Sequence, residues 1–484
     1  MNEAKLLIGG EDLGSTSGST FERRSPITGE VVTRAAAARA EDVRAAIGAA
    51  HQAFRAWSAT SPVARRELLQ RAAARLRAAS ADFARLCTEE TGAVGGWGHF
   101  NAAFAASIAE EAAAMTTRIT GETIPSGHAG TLAMGVRQPA GVCVGMAPWN
   151  APVILGVRAI AMPLACGNTV VLKASELCPA VHRRIVDAFA EAGFPAGVVN
   201  FVAHAPADAP AVVEALIANE AVRRVNFTGS TRVGRIVGEL CGKHLKPCLL
   251  ELGGKAPLVV LEDADLDQAV AAAAFGAFMH QGQICMSTER IIVVSGIADE
   301  FVKRFATKAA TLAVGDPTQG QFPIGACVDG KTVEHVKALI VDATAKGATV
   351  VVGGKGSGGA FFEPTVVDRV EKGMRIYGEE SFGPIVGVIR ARDVDHAVEL
   401  ANDSEYGLSA AVFGRDVGAA LGVAQRIDSG ICHVNSATVQ DEAQMPFGGT
   451  KSSGIGRFGG TAGVAEFTDL RWISIATQPR HYPI

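Results

Sequence analysis

Two short segments carry residue types that can act together on a carbonyl carbon. Cys285 lies in HQGQICMSTER, and Glu251 lies 34 positions earlier in LLELGGKAP. A thiolate is a capable nucleophile, but at neutral pH only roughly a few per cent of an unperturbed cysteine is ionised, so a base and an electropositive setting help it. Cys285 is therefore the candidate nucleophile and Glu251 the candidate base. Most free cysteines fill cores and do no chemistry. The neighbourhood of Cys285 argues for the other role. Gly282 permits close backbone approach, Gln281 and Gln283 bring polar atoms, and Ser287, Thr288 and Glu289 add little apolar bulk.

Other polar residues gather where strands give way to helices. FTGSTRVG (227–234) follows a β-branched run and opens a helix, where Gly229 and helix-terminal N–H groups can meet a pyrophosphate. Gly229 and Gly234 do not complete G-x-G-x-x-G, so a plain helix-entry turn competes with that reading. Lys173 and Glu176 stand at the end of NTVVLK, where an acidic side chain can accept hydrogen bonds from an adenosine ribose. A carboxylate there would repel a 2′-phosphate and favour NAD over NADP. A solvated Lys and Glu at a loop entrance is the alternative. Pro148-Trp149-Asn150, at the carboxyl end of a neighbouring run, supports the cofactor reading.

The elements that must position these residues follow from periodicity. Residues 40–116 read as helical, with Ser61 and Pro62 a cap and first turn for a long Ala/Arg/Leu stretch reaching Glu90. Short β-branched runs at 141–147, 168–173, 198–203 and 223–229 then alternate with helical stretches such as 151–165 and 180–193. That spacing predicts a doubly wound parallel sheet. A second α/β set follows: 256–261, a helix through DLDQAVAAAAFGAF, RIIVV at 290–294, a helix from Asp299 to Ala313, then ATVVVGG and strands beyond Pro384. GGKGSGG (353–359) reads as a surface loop. Residues 117–140 and the tail from about 464 show strand-like alternation outside both sets, and such excursions often pair with another subunit.

Composition narrows the function classes. A chain of 484 residues exceeds what one core usually serves, so two or more domains are expected. With 48% hydrophobic and 19% charged residues, a net charge of −4 and no long apolar run, it reads as a soluble, cytoplasmic protein without a membrane span. Nine irregularly spread cysteines give neither a disulfide framework nor a zinc pattern, and no metal is expected. Lys and Arg total 45 against 49 acids without a basic block, which leaves nucleic-acid binding no electrostatic footprint.

The segments already quoted, with APWNAPVILGVRAIAMPLACGNTVVLKASE, EESFGPIV and MPFGGTKSSGIGR, resemble the NAD(P)-dependent aldehyde dehydrogenase superfamily in order and approximate spacing over almost the whole chain. Within it the likeness is greatest to bacterial vanillin dehydrogenases, the ending RHYPI included, with salicylaldehyde dehydrogenases next. The resemblance implies an α/β, aldehyde dehydrogenase-like fold: two doubly wound parallel-sheet domains plus a β oligomerisation extension. Residues 1–117 and 140–250 would form the NAD-binding domain and 251–450 the catalytic domain. Residues 118–139 and 464–484 would be bridging segments of a homodimer or homotetramer.

Carried over by position, the resemblance implies Cys285 as nucleophile, Glu251 as general base and Asn150 as the oxyanion-hole amide. Lys173 and Glu176 would contact the adenosine ribose, Gly229 and Ser230 the pyrophosphate, and Glu380 with Phe382 the nicotinamide side. Trp149 would line the cofactor pocket or be structural. Gly448, Gly449 and Lys451 would serve architecture. The expected product is a carboxylate, formed through a thiohemiacetal and a thioester on Cys285.

The substrate is expected to be a small aromatic aldehyde, vanillin first and salicylaldehyde second, in a catabolic route for lignin-type aromatics. Arg158 interrupts the apolar run after Asn150, and the i to i+8 spacing sets the two within about 80° on one helix face. Its guanidinium wants an acceptor, either a phenolic or methoxy oxygen of a substrate or an internal Asp or Glu. Trp97, in GAVGGWGHFN, could stack on a substrate ring or pack at the surface, and Ala151 and Leu155 complete the expected pocket. A coenzyme A-acylating semialdehyde dehydrogenase and a catalytically silent nucleotide-binding protein are the competing functions. Glu251 argues against the first, and Cys285, Glu251 and Asn150 together against the second.

Overall fold

The computed structural model describes residues 1–484. The β-branched runs of the first half are buried on both faces, as parallel strands covered by helices must be. Val142–Met146, Thr169–Lys173, Val199–Val202, Val222–Thr228 and Cys248–Glu251 form the parallel core of an eight-stranded sheet. Val142–Met146 has Thr169–Lys173 on one side and Val222–Thr228 on the other. The winding reverses there, and the carboxyl ends of those strands diverge to leave a crevice. Antiparallel strands from distant parts of the chain close the edges: Leu6–Ile8 with Glu11–Leu13 on one, Gly454–Ile455 on the other.

The second sheet is built the same way from Ala256–Val260, Thr288–Val294, Thr365–Asp368, Ile385–Ala391, Ser409–Phe413 and Ile431–Val434, all parallel. ATVVVGG supplies an antiparallel edge strand, Thr349–Val352. The helix expected at Asp299–Ala313 spans Ser295–Ala310, because the chain turns into it directly after the strand. The glycine-rich 353–359 segment contains the exposed arm of a short hairpin, Gly356–Gly358, whose other arm, Phe361–Phe362, buries Phe362 in the core.

The helical region resolves into Ala40–Ser58, Pro62–Ala78, Ser80–Thr91 and Gly95–Met115. Ser61 accepts from the Ala64 N–H and Pro62 occupies the first turn, but the stretch to Glu90 is two helices. Ala79 leaves helical geometry at φ −86°, ψ 11° without any proline or glycine to announce it. Residues 118–139 and the tail stand apart from both sheets. Glu122–Ile124, Thr131–Pro139 and Thr468–Ala476 make a three-stranded antiparallel sheet, in register from Thr468 opposite Pro139 to Ala476 opposite Thr131. The tail strand begins later than 464, since Gly460–Glu466 is a helix.

The two main sheets meet end to end. Glu251 closes the last parallel strand of the first sheet, and four residues separate it from Ala256, the start of the second. Cys285 precedes Thr288–Val294, and Glu380 to Phe382 precede Ile385–Ala391. Carboxyl ends of one sheet thus face amino ends of the other.

Candidate active site

A cavity of about 290 Å³ lies at that junction, at the point where the winding of the first sheet reverses. Its wall brings together Trp149, Asn150, Gly229, Ser230, Glu251, Cys285, Glu380 and Phe382, residues drawn from five separate segments of the chain. Lys173 and Glu176 do not line it. They stand one strand away, at the carboxyl end of Thr169–Lys173, where burial pushes the Lys173 pKa down and the Glu176 charge opposes that shift.

Electrostatics at the thiol differ from the expected electropositive setting. Burial raises the Cys285 pKa well above the usual thiol range, and the Glu251 and Glu380 carboxyls raise it further; among nearby groups Arg158 opposes them. Cys285 is thereby held as the neutral thiol. Burial also pushes Glu251 up to about 8, against the hydrogen bond with Cys285 and the charge of Arg158, which favour its ionised form. Its Oε1 is buried without a hydrogen-bond partner. Glu380 is raised to about 7 by burial and by Glu289, while it accepts from the Gly254 N–H at 2.8 Å. A neutral thiol beside a carboxyl that ionises near neutral pH can exchange one proton between them.

The loop carrying Cys285 is held in a strained shape. His280 (φ 49°), Gln281 (φ 57°) and Gly282 (φ 68°) are successive left-handed residues, and a Cβ on Gly282 would overlap the Gly383 carbonyl. Such strain persists only where surroundings over-determine it. Here Gln281 Nε2 donates to the Ala326 carbonyl at 2.6 Å and Gln283 Oε1 accepts from the Val328 N–H at 2.9 Å. The two glutamines therefore anchor the loop instead of supplying polar atoms to the thiol. From the other side Gly254 permits close approach, since a Cβ there would overlap the Cys285 carbonyl oxygen.

Trp97 is neither a surface residue nor a free stacking platform. It is buried, one neighbour at each ring being His280 (4.8 Å, 14°) and Phe100 (5.5 Å, 28°), and its Nε1 donates to the Asn150 carbonyl at 2.9 Å. It fixes the backbone that presents the Asn150 amide. Arg158 takes the internal acceptor: Nη2 donates to Asp441 Oδ2 at 2.5 Å, and the guanidinium lies 4.4 Å from the centre of the Phe447 ring. Ala151 and Leu155 are buried in the same apolar cluster as Ile284, Met286 and Phe447, with the Cys285 side chain packed against it.

A model described as the aldehyde dehydrogenase family matches residues 13–473. The chain belongs to that family. Vanillin dehydrogenase of Pseudomonas fluorescens is 58% identical over 484 residues, covering all of both chains. Salicylaldehyde dehydrogenase of Pseudomonas sp. (strain C18) is 48% identical over 482 residues, covering 99% of this chain and all of the other. A crystal structure of a salicylaldehyde dehydrogenase from Pseudomonas putida G7 complexed with salicylaldehyde superposes with a TM-score of 0.98 at 47% identity, over the full length of both chains. The protein is an aldehyde dehydrogenase with two parallel sheets and an antiparallel extension.

Aldehyde dehydrogenases of this family use NAD(P), and the residues present in this one fit such a cofactor. The helix Thr231–Lys243 starts at the cavity wall, capped by Ser230, so first-turn N–H groups are at hand for a phosphate. Trp149 and Phe382 stand edge to face, 5.6 Å apart at 84°, as an apolar wall for a planar ring. Beneath that wall lies a network the sequence did not single out. Lys255 Nζ pairs with Glu289 at 2.6 Å and donates to Ser381 Oγ at 3.1 Å; Glu289 in turn accepts from the Ser381 and Phe382 N–H groups at 2.9 and 3.1 Å. It ties the Glu251, Cys285 and Glu380 loops to one another. The available signal was a charged residue opening the apolar run TERIIVV, since a buried charge needs a partner.

Proposed function

We propose that this aldehyde dehydrogenase oxidises an aromatic aldehyde to its carboxylic acid with NAD in preference to NADP, vanillin being the first substrate and salicylaldehyde the second. The observation that carries the reaction is the meeting of the Cys285 thiol, the Glu251 carboxyl and the Asn150 amide in one cavity. End-to-end identity of 58% to a vanillin dehydrogenase supports the substrate, and the structural likeness to a salicylaldehyde complex supports the second reading. Glu176 near the end of its strand supports NAD, by repulsion of a 2′-phosphate.

Chemistry begins when Glu251 takes the thiol proton and Cys285 Sγ adds to the carbonyl carbon. Charge then develops on the carbonyl oxygen, where the Asn150 amide and the Cys285 backbone N–H donate to it; one such donor is worth about 3 kcal/mol of barrier. Bound NAD would supply a cationic ring near the thiolate and accept the hydride from the thiohemiacetal carbon. Cys285 is left acylated as a thioester. Glu251 first releases the thiol's proton to solvent; it then removes a proton from water, the hydroxide adds to the acyl carbon, and collapse expels the carboxylic acid and the Cys285 thiolate, which takes its proton back from Glu251. Trp97 keeps Asn150 in place throughout, and the buried surroundings exclude stray water from the thioester.

Mixing the protein with NAD and vanillin and following NADH absorbance tests the reading. Turnover is expected, with vanillate as the product. Absence of turnover across substituted benzaldehydes would sink the aromatic assignment. Addition of coenzyme A is expected to leave the rate unchanged, because Glu251 already supplies the base for hydrolysis; a coenzyme A-dependent rate with an acyl-CoA product would favour the acylating alternative. The three-stranded extension is proposed to join subunits as a homodimer or homotetramer, which its exposed Leu470, Trp472 and Ile475 support.

A further inference from the structure

The ion pair of Arg158 leaves something over. Asp441 gives Oδ2 to the guanidinium, but its second oxygen, Oδ1, is sealed from solvent without any hydrogen-bond partner. An unpaired buried acceptor is costly to the folded chain and calls for a partner, whether a water or a group of the ligand. Asp441 and Phe447 line a second cavity of about 300 Å³, shared with Ile431, His433, Gln440 and Met445. That volume is at the lower end of small-ligand sites. Arg158 lies close enough to Glu251 and Cys285 to pull both pKa values down. The Arg158–Asp441 pair thus links the second cavity, which Asp441 lines, to the Glu251 and Cys285 groups that feel the Arg158 charge, and Ile284, Met286 and Phe447 belong to the apolar cluster against which Cys285 packs.

We infer that Asp441 is a specificity-determining residue: its free Oδ1 accepts a hydrogen bond from a ring hydroxyl of the aldehyde, while Arg158, held by the other oxygen, presents its remaining N–H donors to an adjacent ether or hydroxyl oxygen. The inference rests on the aromatic-aldehyde reading and deepens it by naming the substituent that is read. An apolar pocket discriminates weakly against a missing hydroxyl, whereas a site with a buried polar atom to satisfy rejects the analogue that cannot pair with it. The pair also meets the ring with acceptor and donor side by side, which matches a hydroxyl next to a methoxy group.

The test compares kcat/KM for substrates of nearly equal size. Vanillin is set against 3-methoxy-4-methylbenzaldehyde, and the 3- and 4-hydroxybenzaldehydes against the 3- and 4-methylbenzaldehydes. Unaltered enzyme is expected to favour the hydroxyl member at one ring position by about tenfold or more, mainly through KM. Asp441→Asn should bring that ratio close to one. So should the paired change Arg158→Met with Asp441→Leu, which leaves no lone buried charge if the single variant folds poorly. Absence of a hydroxyl preference in the unaltered enzyme, or a preference that survives both variants, overturns the inference. The two readings fail differently: turnover of all benzaldehydes without hydroxyl preference removes only the role of Asp441, whereas oxidation of aliphatic aldehydes alone removes the aromatic reading as well.

Discussion

At Cys285 and Glu251 the same burial works on two acids, and the carboxyl, held near 8, is the one that ionises in the working range. A base acts only when ionised, so kcat is expected to rise with pH through about 8 and Glu251→Gln to abolish that limb. The same variant should show a burst of NADH followed by slow turnover, because hydrolysis of the thioester is what it loses; a normal steady-state rate would remove Glu251 from the mechanism. Cys285→Ala should end turnover while NAD binding, followed by protein fluorescence, persists. Linkage adds a stability signature. The folded pKa of Glu251 lies above the unfolded value of 4.5, so the stability its neutral form contributes is fully present below about 4.5 and is lost as pH rises through about 8. Unfolding free energies for Glu251→Gln should therefore decline less between pH 5 and 9 than those of the unaltered enzyme, a difference on the order of 4 kcal/mol.

The loops at this junction are positioned by elements that never touch substrate. Lys255 and Glu289 are both buried, so removing one partner strands the other. Lys255→Met is expected to cost about 3–5 kcal/mol in urea unfolding. Trp97→Phe isolates a smaller effect: the ring can still stack on His280, but the hydrogen bond to the Asn150 carbonyl is gone. A loss of about 1 kcal/mol in stability is expected, with kcat falling more than KM changes because the oxyanion donor is displaced. An unchanged kcat would confine Trp97 to packing.

For the whole molecule, the exposed apolar edge of the extension is the feature a lone chain leaves unexplained. Leu470 and Trp472 share one face of this sheet with Ile124, Ile475 and Leu132 share the other, all five are exposed, and apolar surface of this kind is ordinarily covered by a partner. Leu470→Glu with Trp472→Glu should lower the mass seen by sedimentation toward that of a single chain. Native mass retained in that variant would place the subunit contact elsewhere.

The sequence by itself determined the glycine-framed segments of Glu251 and Cys285, the β-branched runs that became both parallel sheets, the Ser61 cap, and the resemblance that the family match bears out. These depend on side-chain period and turn chemistry over a few neighbours, which any stretch of chain displays. Tertiary structure alone decided which partner each polar group received. Arg158 meets an aspartate 283 residues away, Lys255 a glutamate 34 away, and the rings beside Trp97 turn out to be the protein's own. It also surrounded the thiol with carboxyls where a cationic setting was expected, and broke one helix at Ala79 with no local signal. Burial and long-range pairing set those outcomes, because a charge removed from water takes whatever counterpart the fold brings within reach.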